Sequence, residues 1–335
     1  MAGLCLSGTG ISRQKAKFVG REQWMHFQRT LSETIRIEGL GLHTGGKIRM
    51  EIQPAPPDHG IVFVRSDLAR RVRIPAKLDF VVDTTLATTL GRDGAVVSTV
   101  EHLMSALFGT GVDNALVEVN GPEVPILDGS SAPFVRLIRS VGTLAQPRPR
   151  KYLLIQRPFH LSDGDRRVSL VPCPEFMISF GIEFDHPAIG SQFLQFRLAD
   201  GEYEREICGA RTFGFLRDVE AMKAQGYALG GSLENALVLD DTRVLNSGGL
   251  RYRDEFVRHK VLDSVGDLSL MGFKILGHFV AHKAGHALNH RLLKHVMGSR
   301  AGWKIVCPTR LEYSGEADWF PLAQPEPAER LPATA

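Results

Sequence analysis

The sequence predicts an α+β protein of two domains, and three observations carry that expectation. Strand-like and helix-like segments mix within each half of the chain instead of alternating as regular β-α-β units, which favours α+β over one doubly wound sheet. The length, 335 residues, is about twice a typical domain of roughly 150. Near the middle, residues 144–151 (LAQPRPRK) combine two prolines with basic residues and no apolar pattern, which is linker composition.

Residues 1–28 are rich in Gly, Ser, Lys and Arg without periodicity, and Met25 stands just before the first strand-like segment. They are expected to be a disordered arm or the product of a mis-assigned start. Residues 35–39 and 47–52 flank a glycine-rich turn at 41–46 and read as a hairpin. Residues 96–108 (VVSTVEHLMSALF) read as a helix, because Val100, Leu103, Met104 and Leu107 recur at i, i+3, i+4 and i+7 before Gly109 and Gly111 end it. Residues 115–119 are strand-like, 122–133 (PEVPILDGSSAP) form a loop dense in turn formers, and a helix follows from Phe134. With the boundary in the linker, domain I spans 29–147 and domain II 148–315.

The second half opens with strand-like segments at 152–155, 168–171 and 177–184, and a loop begins at 185–187. A short helix at 216–225 and a strand at 236–239 follow. The strongest helix covers 254–271, where Val257, Val261, Val265 and Leu268 fall within roughly 80° and make a core face. A strand at 274–282 and a helix at 287–297 complete the half. Residues 316–335, rich in Pro and Ala from 321 on, are expected to be a disordered tail.

Composition narrows the function classes. With 43% hydrophobic and 23% charged residues, the chain has material for a core and no signature of general disorder. Forty Lys and Arg against 37 Asp and Glu leave +3, too balanced for the basic stripe that phosphate backbones need, so no nucleic-acid partner is expected. Cysteines 5, 173, 208 and 307 form no C-x-x-C and suggest neither a zinc ribbon nor a disulfide scaffold. No run approaches the roughly 18 apolar residues of a membrane span, and no secretory signal opens the chain. A cytoplasmic monomer without stable membrane insertion is expected.

Candidate chemistry concentrates on the 254–271 helix. His259, Asp263 and Asp267 sit at i, i+4 and i+8, a stripe on the side away from the valines. It reads either as a face that presents ligand atoms or as a solvated polar face with one His/Asp pair. Glu101 and His102 point about 100° apart and cannot chelate together, and Ser98 to Glu101 also fits a capping box. His102 could nonetheless bind a metal while Glu101 reaches a water on it. Two imidazoles and one carboxylate make the ligand count of a catalytic zinc with one position open. A rival series, His278, His282, His286 and His290, repeats every four residues but crosses Gly285 and a change from strand to helix.

Six stretches in series are similar to one known family: TLSETIRIEGLGLHTG at 30–45, STVEH at 98–102, PILDGSS at 125–131, GGS at 230–232, HKVLDSVGDL at 259–268 and KAGHAL at 283–288. Together they resemble the UDP-3-O-acyl-N-acetylglucosamine deacetylases, zinc amidases that commit Gram-negative bacteria to lipid A synthesis, over about residues 30–306. The resemblance implies two similar domains of layered sheets with helices packed between them and an active site at their junction. It makes His102, His259 and Asp263 ligands of Zn²⁺, although Fe²⁺ suits the same donors. It makes Glu101 the general base that takes a proton from the metal-activated water. His286 would face the oxyanion and assist departure of the amine, with Asp267 orienting it and favouring its charge. Thr212 would hydrogen-bond the tetrahedral intermediate, and Lys260 would stand near the reacting groups; by their surroundings in sequence both read as surface residues. Lys283 would meet the nucleotide-sugar head group of a UDP-linked acylated amino sugar.

The resemblance also implies an inserted β-α-β unit at about 213–240 that forms an apolar passage for a fatty acyl chain. Phe213, Phe215, Val219, Met222, Leu229 and Leu233 are its candidate lining. On spacing alone, Phe215, Val219 and Met222 at i, i+4 and i+7 instead fix a short helix to the core. Two further functions stay open: a zinc amidase for another acylated amine, and a nucleotide-lipid binding protein that holds the metal without catalysis.

Overall fold

A computed structural model of the chain describes residues 27–199 and 201–307. Its first half comprises β1 (Phe27–Leu31), β2 (Ile35–Leu40), β3 (Lys47–Pro54), β4 (Ile61–Arg65), β5 (Arg73–Pro75), β6 (Val81–Asp83), β7 (Thr89–Arg92), β8 (Ala95–Val97), α1 (Glu101–Gly109), β9 (Ala115–Val119), α2 (Ala132–Val141) and β10 (Thr143–Pro149). The expected hairpin is present as antiparallel β2 and β3, closed at Leu40 opposite Lys47. Alternation fixes its register: Ile35, Ile37, Ile48, Met50 and Ile52 are buried while Arg36, Glu38, Lys47 and Arg49 are exposed, and a one-residue slip would reverse every side chain. The pair belongs to a five-stranded sheet in the order β2-β3-β9-β4-β5, and β6-β7-β8 form a smaller sheet.

The second half comprises β11 (Tyr152–Ile155), β12 (Phe159–Asp163), β13 (Arg166–Val171), β14 (Phe176–Phe184), β15 (Gly190–Arg197), α3 (Glu202–Glu206), β16 (Phe213–Phe215), α4 (Leu216–Ala224), β17 (Leu237–Leu239), α5 (Glu255–Ser269), β18 (Lys274–His282), α6 (His286–Gly298) and β19 (Trp303–Val306). Its seven-stranded sheet is organised on β18, which pairs in parallel with β11 and β14 and antiparallel with β13. β16 and β17 pair in parallel across α4, so a β-α-β unit stands at the expected place. Among the described residues no helix is long and apolar enough to cross a membrane.

The two halves meet where α1 crosses α5. Val257, Val261, Val265 and Leu268 are fully buried, and each contributes about 1.5–3 kcal/mol of burial. Contact is close enough that a Cβ on Gly266 would lie 2.2 Å from the Glu101 carbonyl oxygen. Glycine at 266 therefore lets α5 touch the backbone of α1 at its first residue.

Several expectations are corrected. Residues 96–108 are not one helix: Val96 and Val97 belong to β8, Thr99 has φ of 56°, and α1 starts at Glu101. The capping box is absent, since the Ser98 hydroxyl accepts from Thr89 and the Glu101 carboxylate accepts from the Thr88 amide. Residues 144–149 are strand, not linker, because β10 finds an antiparallel partner in β1. Phe27 and Gln28, assigned to the arm, lie in β1, where buried Gln28 accepts a hydrogen bond from Asn114 and donates one to Asp58. The rest of the arm and the whole 316–335 tail lie outside the described residues. α4 buries none of its residues, so it does not fix itself to the core through Val219 and Met222. Cys173, Cys208 and Cys307 are free thiols.

Candidate active site

The polar stripe of α5 is not a solvated face. His259, Asp263 and Asp267 are buried, because α1 and α6 pack against α5 on this side. The first turn of α1 presents His102 to this stripe. His102 Nε2 lies 3.5 Å and His259 Nε2 3.3 Å from the same oxygen, Asp263 Oδ1. One potential ligand atom from each of the three residues lies within 4.8 Å of the others.

The surroundings prepare these atoms as ligands. His259 donates its Nδ1–H to the Ala210 carbonyl at 3.1 Å, which leaves the Nε2 lone pair facing the cluster. Burial lowers the His259 pKa to about 3, against the attraction of Asp263, so the ring is neutral. Burial alone would raise the Asp263 carboxyl, but His259 and Lys260 hold it well below the usual carboxylate range. Lys260 donates to Asp263 Oδ2 at 2.9 Å and occupies the oxygen turned away from His102 and His259. Neutral imidazole and carboxylate lone pairs converging in a buried space repel one another unless a cation lies between them. The donor set therefore fits a divalent metal site.

Beside this cluster stands a second group. Glu101 is buried and its pKa is raised, chiefly by that burial, with His286 and His102 opposing. Its Oε2 accepts the Thr88 amide at 3.0 Å, and its Oε1 lies 3.9 Å from His286 Nε2. His286, the first residue of α6, is bound through Nδ1 to Asp267 Oδ2 at 2.9 Å. Burial would lower its pKa, but the Asp267 charge and hydrogen bond, with Glu101, raise it to about 10. The arrangement sets a carboxylate able to accept a proton across from an imidazolium able to give one.

The family model described as LpxC, UDP-3-O-acyl N-acetylglycosamine deacetylase, matches residues 28–298. The chain belongs to this family. A UDP-3-O-acyl-N-acetylglucosamine deacetylase of Myxococcus xanthus is 54% identical over 288 residues, covering 86% of this chain and 92% of the relative. The proteins of that name from Syntrophus aciditrophicus and Shewanella violacea are 50% and 49% identical, covering 83% and 84% of this chain and 89% and 93% of theirs.

The remaining candidates of the deacetylase reading fall at different distances from this centre. Phe213 is adjacent, its ring centroid 6.4 Å from that of His259, with Lys260 Nζ 5.5 Å above it. Phe215 belongs to a cluster with Phe184 and His186. Thr212 is half-buried and anchored through its amide to Gly129 of the first half, and Lys260 is three-quarters buried, so neither is an ordinary surface residue. Val219 and Met222 are half-buried, while Leu229 and Leu233 are about half exposed. The Leu229 and Gly230 amides donate to His43 and Leu42, tying the β-α-β unit to the first hairpin. Lys283, with φ of 52°, pairs with Asp165 at 2.9 Å and Glu183 at 2.8 Å instead of entering the cluster. The histidine series is broken between β18 and α6, and His278 bonds Ser179.

A cavity of about 740 Å³ lies at the opposite ends of α1 and α5, beside Phe108, Leu270 and Lys274, and none of these candidates lines it. Thr88 and Asn289 were not read from the sequence, although both bond Asp267. No spacing or motif marks either one, since each reaches the site from an element whose placement depends on the tertiary fold.

Proposed function

We propose that this chain hydrolyses the acetamide of UDP-3-O-[(3R)-3-hydroxyacyl]-N-acetylglucosamine to acetate and the free amine, the committed step of lipid A biosynthesis, with Zn²⁺ on His102, His259 and Asp263. The observation that carries this reading is the buried His-His-Asp donor set standing directly beside the Glu101 and His286–Asp267 pair. Bound zinc would supply Lewis acidity, lowering the pKa of a water from about 15.7 toward about 7.

The chain's own residues account for the proton movements. Glu101 Oε1 accepts the proton that the water gives up as its oxygen bonds to the acetamide carbon. His286, charged because Asp267 faces its other nitrogen, gives a proton to the nitrogen as the C–N bond breaks. The acid formed passes its proton to the amine and the proton on Glu101 returns to His286, so acetate and a protonated amine account for every atom of substrate and water and both residues end as they began. Lys260 neutralises the outer oxygen of Asp263, and Thr212 offers a hydroxyl to the tetrahedral centre. The acyl chain would run along Phe213, Phe215, Val219, Met222, Leu229 and Leu233, where each buried CH₂ is worth about 0.8 kcal/mol. Lys283 would exchange its exposed carboxylate partners for the diphosphate of the head group.

Acetate release from this substrate by protein with a measured full equivalent of zinc is the direct test, and its absence refutes the proposal. Glu101→Ala should abolish release while the zinc stays bound. An unchanged rate in that variant removes Glu101 from the chemistry.

A further inference from the structure

Thr88 occupies the turn between β6 and β7 and is buried, although Leu86, two residues before it, is half exposed with φ of 60°. It is the one described residue that bonds both sides of the proton-transfer pair. Its amide donates to Glu101 Oε2 at 3.0 Å. Its hydroxyl donates to Asp267 Oδ1 at 2.7 Å and lies 3.3 Å from His286 Nδ1. The other Asp267 oxygen receives His286 Nδ1 and Asn289 Nδ2, each at 2.9 Å.

A carboxylate has about four lone-pair positions, and three side-chain donors, Thr88 from the β6–β7 turn with His286 and Asn289 from α6, fix its rotation. Thr88 comes from the first half, Asp267 from α5 and Asn289 from α6. The orientation of the His286 ring follows from that of Asp267, while the orientation of Glu101 follows from the Thr88 amide. A single residue therefore sets the relation between Glu101 Oε1 and His286 Nε2, now 3.9 Å apart.

We propose that Thr88 is a positioning residue for the deacetylation, holding the proton acceptor and the proton donor in register, with Asn289 supporting it on Asp267. The inference rests on the deacetylase reading above. Thr88 touches neither the donor atoms of the metal cluster nor, in this scheme, the substrate. Loss of its hydroxyl should therefore slow the chemical step and leave ground-state binding alone.

The experiment uses the full-length, zinc-loaded protein and compares Thr88→Val, Thr88→Ser and Asn289→Leu with the unsubstituted chain. A hydrogen bond to a charged group is worth about 1.5–3 kcal/mol, so kcat of Thr88→Val should fall about ten- to a hundredfold. KM and zinc content should stay as they are. Thr88→Ser keeps the hydroxyl and should recover most of the rate, and Asn289→Leu should lose a smaller part of kcat at constant KM. Should valine prevent folding, Thr88→Ala removes the same hydroxyl without placing a methyl against the carboxylate. Wild-type kcat in the folded variant lacking the hydroxyl overturns the inference, as does an equal loss in Thr88→Ser or a fall in kcat matched by loss of zinc. No acetate from the unsubstituted, zinc-loaded protein defeats the deacetylase reading itself, a separate and earlier outcome.

Discussion

At Asp267, burial and charge act against each other on its partner, and the balance decides the protonation of His286. The ring is buried, which disfavours its cation, yet Asp267 at 2.9 Å raises its pKa to about 10. A group that works in its protonated form is lost as pH rises through that value, so the alkaline limb of kcat should lie high. In Asp267→Asn the anion is gone and burial regains its weight. Removing an opposite charge at such range moves a pKa by about 1–3 units, and the alkaline limb should move down by that amount. A pH profile of kcat for the two proteins checks this, and superimposable alkaline limbs would exclude His286 as the proton donor. His259, Asp263 and Asp267 were legible in the sequence as one face of a helix. Whether that face met water was not, because periodicity reports which residues share a side and not what covers it. Thr88 was illegible for a stronger reason: its partners lie on α1, α5 and α6.

The crossing of α1 and α5 depends on one missing side chain. A Cβ at 266 would meet the Glu101 carbonyl oxygen at 2.2 Å and its Cα at 2.9 Å, backbone atoms that cannot rotate aside. Gly266→Ala should therefore separate the helices, cost about 1–3 kcal/mol of stability from overpacking, and displace Glu101 and His102 together. Thermal unfolding, acetate release and zinc content should all fall. Gly298→Ala, where an added Cβ meets nothing within 4 Å, serves as the control and should leave all three in place. A Gly266→Ala protein with unchanged activity would show that the crossing tolerates more slack than the contact implies. At this scale the sequence was legible where a pattern lies within one segment, as in the β2–β3 hairpin, α5 and α6. It misled where the deciding partner was remote: β10 carries linker composition but pairs with β1, and the apolar spacing of α1 ran on into β8 across the turn at Thr99.

Across the whole molecule, the candidate ligands come from both halves of the chain, His102 from α1 and His259 and Asp263 from α5. A cation held there binds the folded arrangement and not the unfolded chain, so its binding free energy adds to stability. It also removes the repulsion among buried lone pairs that the empty donor set would carry, which gives the stabilisation a local cause at the junction. For a metal present at a thousand times its dissociation constant, the linkage is about 4.1 kcal/mol. For halves of this size, each kcal/mol is worth about 2–4 °C, which predicts a Tm lower by roughly 8–16 °C after complete chelation. Restoring one equivalent of Zn²⁺ should reverse the loss. His102→Ala and Asp263→Ala should each bring the Tm of the zinc-supplied protein close to that of the chelated one, although the two residues belong to different halves. Calorimetry with parallel metal analysis makes the measurement. An unchanged Tm on full removal of the metal would mean that the apolar contacts of Val257, Val261, Val265 and Leu268 hold the halves together without it, and the cation would then serve the reaction alone.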